Sequence, residues 1–450
     1  MRTGRFHPLL LLLPLLIACT PAPAPPHTPS PPPPLPAHIL RVYAGQTLGE
    51  ISPLVYGANH GPWAFVNFEL WEEAEAAGIT FLRFPGGNWG DENDIHPTHL
   101  DEFIAFAHQI GAEPQISVRL RGGTPAQAAA LVRYANLEQA YNIRYWSIGN
   151  EPELYHAKSG FADYDSERLN REWRAIAIAM RAIDPAILLI GPEITQFTGN
   201  PASDPKDAAG KDWMRSFLTA NGDLVDVVSI HRYPFPTGMT AAPATPAELL
   251  ASAAEWEQII PSLRTVIRES TGKDLPVAIT EINSYWSNVS GGETTPDSFY
   301  SALWWADVLG RLIRQDVHIV NFFSLQSHPS IGGYGLLARR ETRPSYDVYQ
   351  LYQRFGQHRL DAASGDPALS LFAARRQDNA LTLLIINRSE QTAVKTVEIA
   401  GLDLAGEAEV WLFDAEHPAA PRSRMPWPPP GPLSLPPYSA TLLIIPAALP

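Results

Sequence analysis

The chain has 450 residues, 45% of them hydrophobic, and its formal charge at pH 7 is −14. This length allows a large core, either in one big domain with a smaller one or in two domains of similar size. The acidic balance, with no basic stripe to neutralise phosphates, argues against nucleic acid as a partner.

The first residues have the features of an exported protein. Arg2 and Arg5 precede the apolar run LLLLLPLLIAC, which is too short to span a membrane and is typical of a secretory signal. The only cysteine in the chain, Cys19, closes that run in the sequence LIAC, which resembles a bacterial lipobox. A single exported cysteine has no disulfide partner. We expect residues 1–19 to be a lipoprotein signal peptide, with lipidation of Cys19 and an anchor at the cell surface or envelope; an ordinary signal peptide is the alternative.

A proline-rich linker follows the signal. Residues 20–37 read TPAPAPPHTPSPPPPLPA, a composition that favours an extended and semi-rigid chain. Such a linker would hold the folded body away from the membrane.

Residues 38–355 predict a barrel of alternating strands and helices. Short β-rich runs alternate with longer helical patterns such as AAALVRYANLEQAY and RLNREWRAIAIAMRAI, which is the pattern of a parallel sheet. The predicted strands cover residues 55–59, 79–84, 114–118, 143–150, 187–193, 225–233, 276–281 and 318–325. Eight such units over roughly 300 residues fit a (β/α)8 TIM barrel.

The pattern changes after Phe355. Residues 356–450 alternate strands without long helices, including LSLFAARR, LTLLIINRS, KTVEIAGL, EAEVWLFD and SATLLIIP, with a proline-rich stretch at residues 426–437. This predicts a C-terminal β-sandwich domain that braces the barrel or binds sugar weakly.

Two glutamates carry the strongest functional signal. Glu151 follows the apolar run IRYWSIGN, and Glu281 ends the run LPVAIT, on the fourth and seventh units. Catalytic side chains of TIM barrels lie at the carboxyl ends of strands, and glycosidic bond cleavage needs two carboxylates. We expect Glu281 to be the ionised nucleophile and Glu151 to carry the proton for the leaving group. The alternatives are a helix-capping role for Glu151 and a surface carboxylate at Glu281.

Further predicted site residues surround this pair. Asn150 would bind the sugar 2-hydroxyl, and strand periodicity directs His231 and Tyr233 into the barrel, although a structural histidine is the alternative. Arg83 would point at the floor of the site, or else pair with Asp91 or Glu92. The remaining predicted binding residues are Asn88, Trp89, Glu193, Tyr285, Trp286 and Gln326. Glu193 could instead cap the loop that follows its strand.

Aromatic residues in predicted loops can stack on the apolar faces of sugar rings. The loop set is Trp63, Trp89, Tyr155, Tyr285, Trp286 and Tyr334, and we expect about half of it to touch a ligand. Trp173, Trp256, Trp304 and Trp305 lie in helices and are expected to be core. No cofactor or metal is predicted, because His60, His231 and His328 are scattered and the glycine pairs lack the spacing of a phosphate loop.

Several motifs resemble clan A glycoside hydrolases along the whole barrel. GNEP and TEINSYW, with HRY between them, carry the resemblance to the clan. RFPGGNWGDEND, GTPAQAAALVRYAN and RYWSIGNEPE resemble the family 51 arabinofuranosidase group. TEINSYW and GGYGLLARRETRPSYDVYQLYQRFG are more similar to the family 39 xylosidase group, and ISPLVYGAN is shared by family 51 and the family 44 endoglucanase group.

The resemblance implies a retaining hydrolase with Glu151 as acid/base and Glu281 as nucleophile. It also implies that Asn150 binds the 2-hydroxyl, that Tyr233 contacts the nucleophile and that Arg83 positions it. The strand near residues 38–44 would join the β-sandwich. Many members of the clan have a tryptophan as sugar platform on the eighth strand, where this chain has NFFSLQSH, so Phe323 or Gln326 would substitute.

The sequence therefore predicts a retaining hydrolase of plant-type polysaccharides or oligosaccharides, of the β-xylosidase, α-L-arabinofuranosidase or endo-β-glucanase type. The alternative is a lipid-anchored carbohydrate-binding protein on a catalytically silent barrel. The sequence names neither the sugar nor the oligomeric state.

Overall fold

The computed structural model describes Met1 and residues 34–64, 66, 68–238, 241–327 and 332–448. The chain divides into two units, Met1–Pro34 and Leu35–Pro450. Cys19 and residues 20–33 of the predicted linker lie outside the described residues, as does His328. Of the helices that are described, none has both the length and the apolar character needed to cross a membrane.

Strands make up both parts of the second unit. In chain order they are β1 (Ile39–Glu50), β2 (Gly57–Asn59), β3 (Phe81–Phe84), β4 (Glu113–Val118), β5 (Tyr145–Ile148), β6 (Leu188–Thr195), β7 (Val227–Arg232), β8 (Val277–Ile282), β9 (Ile319–Phe322), β10 (His358–Ser364), β11 (Leu369–Arg375), β12 (Leu381–Asn387), β13 (Ala393–Ala400), β14 (Gly406–Asp414), β15 (His417–Trp427), β16 (Leu433–Leu435) and β17 (Ser439–Ile445).

Helices connect the first half of these strands. They are α1 (Trp71–Ala76), α2 (Trp89–Glu92), α3 (Pro97–Gln109), α4 (Pro125–Val132), α5 (Ser166–Ile183), α6 (Trp213–Asn221), α7 (Pro246–Ser252), α8 (Trp256–Thr271), α9 (Phe299–Arg314) and α10 (Pro344–Tyr352). A π-helical turn, Arg133–Glu138, continues α4. Short 3₁₀ helices lie at Pro53–Val55, Phe68–Leu70, Pro152–Ala157 and Ala253–Glu255.

The first part is a closed parallel barrel. Within the described residues, β2 to β9 pair in chain order, and β9 returns to β2 where Gly57 pairs with Asn321. Each predicted barrel strand overlaps one of these strands, and the predicted TIM barrel is confirmed. Helices cover the outside, so the strands are buried on both faces, which explains their nearly unbroken apolar sequences.

The inside of the barrel changes from apolar to polar along its axis. An apolar layer fills one end, formed by Phe81, Tyr145, Ile190, Val227, Ala278 and Ile319. Above it, the amide of Gln115 donates to Ser147 Oγ at 3.0 Å, and Asn321 donates to Gln115 at 3.3 Å. Since buried polar groups are stable only when hydrogen-bonded, this second layer supports the charged groups above it.

Local sequence explains the helix ends. Thr124 and Gln127 form a reciprocal capping box ahead of α4, with Pro125 at its first position. α5 begins after the capping Asp165 and ends before Pro185. The four helical tryptophans expected to be core are buried, each at most 1% exposed.

The second part is a curled mixed sheet of nine strands, counted over the described residues. Its order is β15-β14-β17-β12-β11-β10-β1-β13-β16, and β1 lies between β10 and β13. In β11, Leu371 and Ala373 face the inner core of this sheet, whereas Phe372 and Ala374 pack on the barrel side. Both faces of β11 and β12 are therefore buried. The predicted barrel with a C-terminal β-sandwich domain is confirmed as a fold class.

Sequence patterns missed three strands of this sheet. β10, β15 and β16 were not predicted, and the stretch at residues 426–437 contains the end of β15 and all of β16. β15 carries Pro418, Pro421 and Pro426 and lies at the edge of the sheet, the position where prolines are tolerated. An exposed edge strand has no need of alternating apolar residues, so it gave no periodic signal.

A buried ion cluster joins α9 to the sheet. Asp307 is fully buried, 3.0 Å from Arg311 Nε and 3.5 Å from Arg388 Nε. Arg311 also donates to Ser370 Oγ of β11 at 3.1 Å. Removing the carboxylate would leave Arg388 without this counter-charge in a dry interface, and Arg311 with only the partly exposed Glu257 as a carboxylate partner, at 2.8 Å.

We expect Asp307→Ala to lower the free energy of unfolding by about 3–5 kcal/mol, because breaking a buried ion pair leaves an uncompensated charge. Chemical denaturation measures this change. Asp163→Ala is the matched control, since Asp163 is exposed and pairs with Arg168 on the surface at 3.3 Å. Equal stability of the two variants would contradict the expected role of the buried cluster.

Candidate active site

The two glutamates lie at the same rim of the barrel. Glu151 follows β5 and Glu281 lies near the end of β8. One carboxylate oxygen of each, together with a ring nitrogen of His231, lies within 4.8 Å of the others. Retaining glycosidases place their two carboxyl groups about 5–5.5 Å apart, whereas inverting enzymes need a wider gap for water. This separation fits the retaining geometry.

Backbone irregularities aim these carboxylates. The β7–β8 pairing steps from Ile230↔Ile279 to His231↔Glu281, so Thr280 is an extra residue in β8. Ala278 faces the barrel interior, and strict alternation from it would turn Glu281 outward. The bulge reverses this direction, in keeping with the frequent location of bulges beside active sites.

Glu151 itself has left-handed backbone geometry, with φ of 48° and ψ of 56°. This conformation is strained for a residue with a side chain and costs about 1–2 kcal/mol. Its N–H donates to the carbonyl of Glu193 at 3.1 Å, which holds the turn. The strain lowers the stability of the fold, and the turn that causes it sets the direction of the Glu151 carboxylate.

Three donors surround Glu281. Its Oε1 accepts from Arg83 at 2.7 Å and from the Gly87 N–H at 2.8 Å, and its Oε2 accepts from the Tyr233 hydroxyl at 2.7 Å. Gly87 has a φ of +61°, a conformation that favours glycine and brings its amide to the carboxylate. Burial alone would raise the pKa of Glu281, but the charges of His231 and Arg83 outweigh it and lower the pKa below its ordinary value.

Arg83 lies at the centre of the floor. Beyond Glu281, its guanidinium donates to Asn59 and Asn150, each at 2.9 Å, and lies 2.5 Å from Glu193. The alternative partners considered from the sequence were wrong. Asp91 accepts backbone amides, and Glu92 pairs with Arg121 at 3.0 Å.

His231 bridges three carboxylates. Its Nδ1 lies 3.2 Å from Glu151 Oε1 and 3.6 Å from Glu281 Oε2, and its Nε2 lies 3.0 Å from Glu193 Oε2. Burial alone would lower the pKa of His231, but the charge of Glu281 and the hydrogen bonds to Glu151 and Glu193 raise it to about 10. Carboxylates on both sides of the ring thus favour its protonated form.

The same three residues, Glu151, His231 and Glu281, form the one group of possible metal ligands found among the described residues. In this structure the two ring nitrogens of His231 face the carboxylates of Glu151, Glu281 and Glu193 at 3.0–3.6 Å, so the ring lies between three carboxylates.

Asp91 is a site residue for which the sequence gave no role of its own. Its carboxylate accepts from the amides of Leu120 at 2.9 Å, Arg121 at 3.2 Å and Asn150 at 2.8 Å, and from the Tyr155 hydroxyl. It fixes the backbone next to Glu151 from across the loop. The motif RFPGGNWGDEND contains Asp91 but does not indicate this role, because the contacts join segments that are distant in sequence.

Glu153 is a second residue that the sequence did not single out. Glu153 lies two residues after Glu151 in the chain. Its Oε1 accepts a hydrogen bond from the Thr195 N–H at 2.7 Å. Burial and the charge of Glu151 raise the pKa of Glu153 well above its usual value. The hydrogen bond of this carboxyl group therefore connects the turn after β5 to the end of β6.

An aromatic cleft of about 260 Å³ opens beside Gly87, whose amide contacts the nucleophile candidate. Its lining residues are Trp63, Gly86, Gly87, Asn88, Trp89, Asn288, Phe323, Ser324 and Tyr334. Three of the six loop aromatics expected at the site, Trp63, Trp89 and Tyr334, therefore line it. Phe323 occupies the place where a sugar platform was expected on the eighth strand. A larger apolar groove of about 470 Å³ lies against α3, away from the glutamates.

Several predicted binding residues are buried instead. Arg83, Glu193 and His231 are fully covered, so they form the floor beneath the site and offer no surface to a sugar. Gln326 is 3% exposed and donates to the Ala338 carbonyl at 2.8 Å. The side-chain alternation used for these predictions says which way a residue points but not how deeply it lies.

Two of the loop aromatics are also structural. The Tyr285 hydroxyl accepts from the Ala244 N–H at 2.9 Å and lies 3.1 Å from Thr294 Oγ1. Tyr155 is bound to Asp91. Trp286 is exposed, with its indole N–H donating to the Pro236 carbonyl at 2.7 Å, and its contact with sugar stays a prediction.

Known proteins share this architecture. A bifunctional glucanase-xylanase from a metagenome library superposes with a TM-score of 0.71 at 18% identity, covering 92% of this chain and 100% of that one. The α-L-arabinofuranosidase of Thermotoga maritima gives 0.70 at 18% identity, over 90% and 99% of the two chains. A family 44 xyloglucanase of Paenibacillus polymyxa gives 0.69 at 15% identity, over 91% and 99%.

Sequence relatives are more limited in extent. An intracellular exo-α-(1→5)-L-arabinofuranosidase of Streptomyces lividans is 28% identical over 208 residues, which are 37% of this chain and 30% of the relative. A probable α-L-arabinofuranosidase C of Aspergillus fumigatus is 26% identical over 263 residues, 47% and 50% of the two chains. The matches thus span half or less of these relatives. No family model matches the sequence.

The resemblance to clan A glycoside hydrolases is confirmed. Relatives by sequence are arabinofuranosidases, and neighbours by fold include family 51 and family 44 enzymes. The network around Arg83 lies at the carboxyl ends of the barrel strands, where TIM barrels carry their active sites.

We expect Asp91→Asn to lower kcat/KM by roughly 10- to 100-fold, because an amide nitrogen would face donors and displace the Asn150 backbone. Leaving these buried donors unsatisfied should also lower the free energy of unfolding by about 1–3 kcal/mol. Steady-state kinetics and thermal denaturation measure the two effects. Asp94→Asn in the same loop is the control, since Asp94 is exposed and pairs with Arg119. Wild-type kinetics in Asp91→Asn would rule out the positioning role.

Proposed function

We propose that this protein is a retaining glycoside hydrolase that acts by double displacement. The observation that carries the proposal is the pair Glu151 and Glu281, close together at one barrel rim. Glu281 has the lowered pKa that a nucleophile needs. Relatives and fold neighbours that are glycosidases support the same reaction.

In the first step, a carboxylate oxygen of Glu281 attacks the anomeric carbon while Glu151 gives its proton to the departing glycosidic oxygen. The product is a glycosyl ester on Glu281 and a free alcohol. Arg83, Tyr233 and the Gly87 amide keep the nucleophile in place through their hydrogen bonds.

In the second step, Glu151 takes a proton from water, whose oxygen attacks the same carbon and releases Glu281 as a carboxylate. Esterification has removed the negative charge of Glu281, which favours the carboxylate form of Glu151 at this point. Two inversions at one carbon give net retention.

The proposed substrates are oligosaccharides or polysaccharides of plant type. The aromatic cleft suits the apolar faces of neutral sugar rings. Because the sequence relatives are arabinofuranosidases, α-L-arabinofuranosides come first, followed by β-xylosides and β-glucans. A carbohydrate-binding protein without turnover is the competing function.

The test is an assay of the protein lacking residues 1–37 on aryl glycosides and plant polysaccharides, with Glu281→Gly and Glu151→Ala beside it. We expect turnover on one class, with activity lost in Glu281→Gly. The activity of Glu151→Ala should fall by about 10²- to 10⁴-fold. The loss should be smallest on aryl glycosides, whose leaving groups need little protonation.

Added azide distinguishes the two roles. In Glu151→Ala it should intercept the glycosyl ester and give a glycosyl azide of retained configuration. In Glu281→Gly, where it replaces the nucleophile on an activated substrate, it should give the inverted azide. Glu293→Gly, an exposed carboxylate in the loop after β8, is the control and should behave like wild type. Binding of a glycan without turnover by the folded protein would favour the competing function.

We also propose that the protein is exported and anchored through a lipid on Cys19. The support is the apolar run ahead of the LIAC sequence and the proline-rich stretch that follows it. In this arrangement the linker would carry the hydrolase to substrates outside the cell.

In a bacterial host, Cys19→Ala should move the full chain from the membrane fraction to a soluble or secreted fraction, because the thiol is the site of lipid attachment. Fractionation and mass spectrometry of the N-terminus measure this. Cys19→Ser is a second variant with nearly the same volume. A wild-type protein that is cleaved but carries no lipid would indicate an ordinary signal peptide.

A further inference from the structure

A third carboxylate lies beneath the two that carry the proposed chemistry. Glu193 is 0% exposed, near the end of β6, with Oε2 2.5 Å from Arg83 and 3.0 Å from His231 Nε2. No step of the double displacement uses it. Its burial with two cationic partners requires another explanation.

The backbone shows that the direction of Glu193 is set by a bulge. The β6–β7 pairing steps from Pro192↔Ser229 to Ile194↔Ile230, so Glu193 is an extra residue. Its φ is 63°, in the left-handed region, and its N–H donates to Ser229 Oγ at 3.0 Å. Strict alternation from the inward-facing Ile190 would turn this side chain out of the barrel.

His231 connects Glu193 to both catalytic candidates. With Nε2 on Glu193, its Nδ1 faces Glu151 Oε1 at 3.2 Å and Glu281 Oε2 at 3.6 Å. A neutral imidazole donates from one nitrogen only, whereas an imidazolium donates from both. Carboxylates on both sides of the ring therefore favour the cation.

We propose that Glu193 is a positioning residue that holds His231 as a permanent cation, so that its Nδ1–H group orients Glu151 and lends positive charge to both catalytic carboxylates. The catalytic part of this inference rests on the proposed hydrolase, but the protonation of His231 does not.

The neighbours of His231 determine how its charge responds to pH. The charged and titratable groups around the ring are Glu151 and Glu153 after β5, Glu193 on β6, Tyr233 after β7, Glu281 on β8, and Arg83 on β3. Glu151 and Glu281 change charge during the reaction, since one transfers a proton and the other is esterified. Glu193 forms and breaks no bond, so it keeps the imidazolium charged in both steps.

The experiment compares wild type with Glu193→Gln, which keeps the size of the side chain and removes its charge. Protein labelled with ¹⁵N-histidine is titrated by NMR, and the signal lost in His231→Asn assigns His231. Glu193→Asp is the conservative variant. Glu172→Gln is the control, because Glu172 pairs with Arg168 on the barrel exterior.

In wild type and in the Glu172→Gln control, His231 should remain protonated to above pH 8. In Glu193→Gln, its midpoint should fall by at least about one pH unit, since a neutral amide replaces the counter-charge. Glu193→Asp should recover part of this shift. On a substrate found in the assay, the pH profile of kcat/KM should shift in Glu193→Gln and stay unchanged in Glu172→Gln.

A neutral His231 in wild type at pH 7 would overturn the inference. So would an unchanged His231 midpoint in Glu193→Gln, even if activity falls, because that combination indicates a purely structural role. If no substrate is found, the hydrolase proposal fails. The His231 midpoints measured by NMR still test whether Glu193 keeps His231 protonated. Thermal denaturation checks that each variant folds. If Glu193→Gln does not fold, the His231 midpoints of wild type and Glu193→Asp test the proposed role of Glu193.

Discussion

A buried guanidinium organises the carboxyl end of this barrel. Arg83 is fully covered and contacts carboxylates of Glu193 and Glu281 at 2.5 and 2.7 Å. Removing charges from water is costly, and only close opposite charges with further hydrogen bonds offset that cost. The ring of His231 completes the set, because it lies between Glu193, Glu281 and Glu151. Loss of any member leaves another charge buried and uncompensated.

The rest of the barrel is built to support this charged layer. The apolar layer containing Phe81 and Ile190 closes the far end, and the amides of Gln115 and Asn321 separate it from the ions. Each layer is more polar than the one below it. Charges therefore lie next to groups that can hydrogen-bond them, and the apolar layer excludes water from beneath.

Backbone bulges convert a regular barrel into a site. Both Glu193 and Glu281 face the interior because each strand has one extra residue in the ladder, Glu193 itself in β6 and Thr280 in β8. Left-handed backbone at Glu151 and Glu193 adds strain at the same place. The surrounding hydrogen bonds, including the Glu151 amide to the Glu193 carbonyl, maintain conformations that the local sequence does not favour.

Local patterns in the sequence were enough for the fold class and for the two glutamates. Strand and helix periods, capping residues and proline positions depend on near neighbours, and the carboxylates come at strand ends that these periods locate. The missed strand β15 shows the limit of this reasoning, because an edge strand with prolines has no periodic pattern.

The sequence by itself thus determined the alternation of strands and helices, the second domain, and which rim of the barrel would carry Glu151 and Glu281. Only the tertiary structure decided that Glu193, His231 and Gln326 are buried, that Asp91 holds the Asn150 backbone, and that bulges turn Glu193 and Glu281 inward. Depth and ladder register depend on contacts between segments far apart in the chain, which no local period encodes.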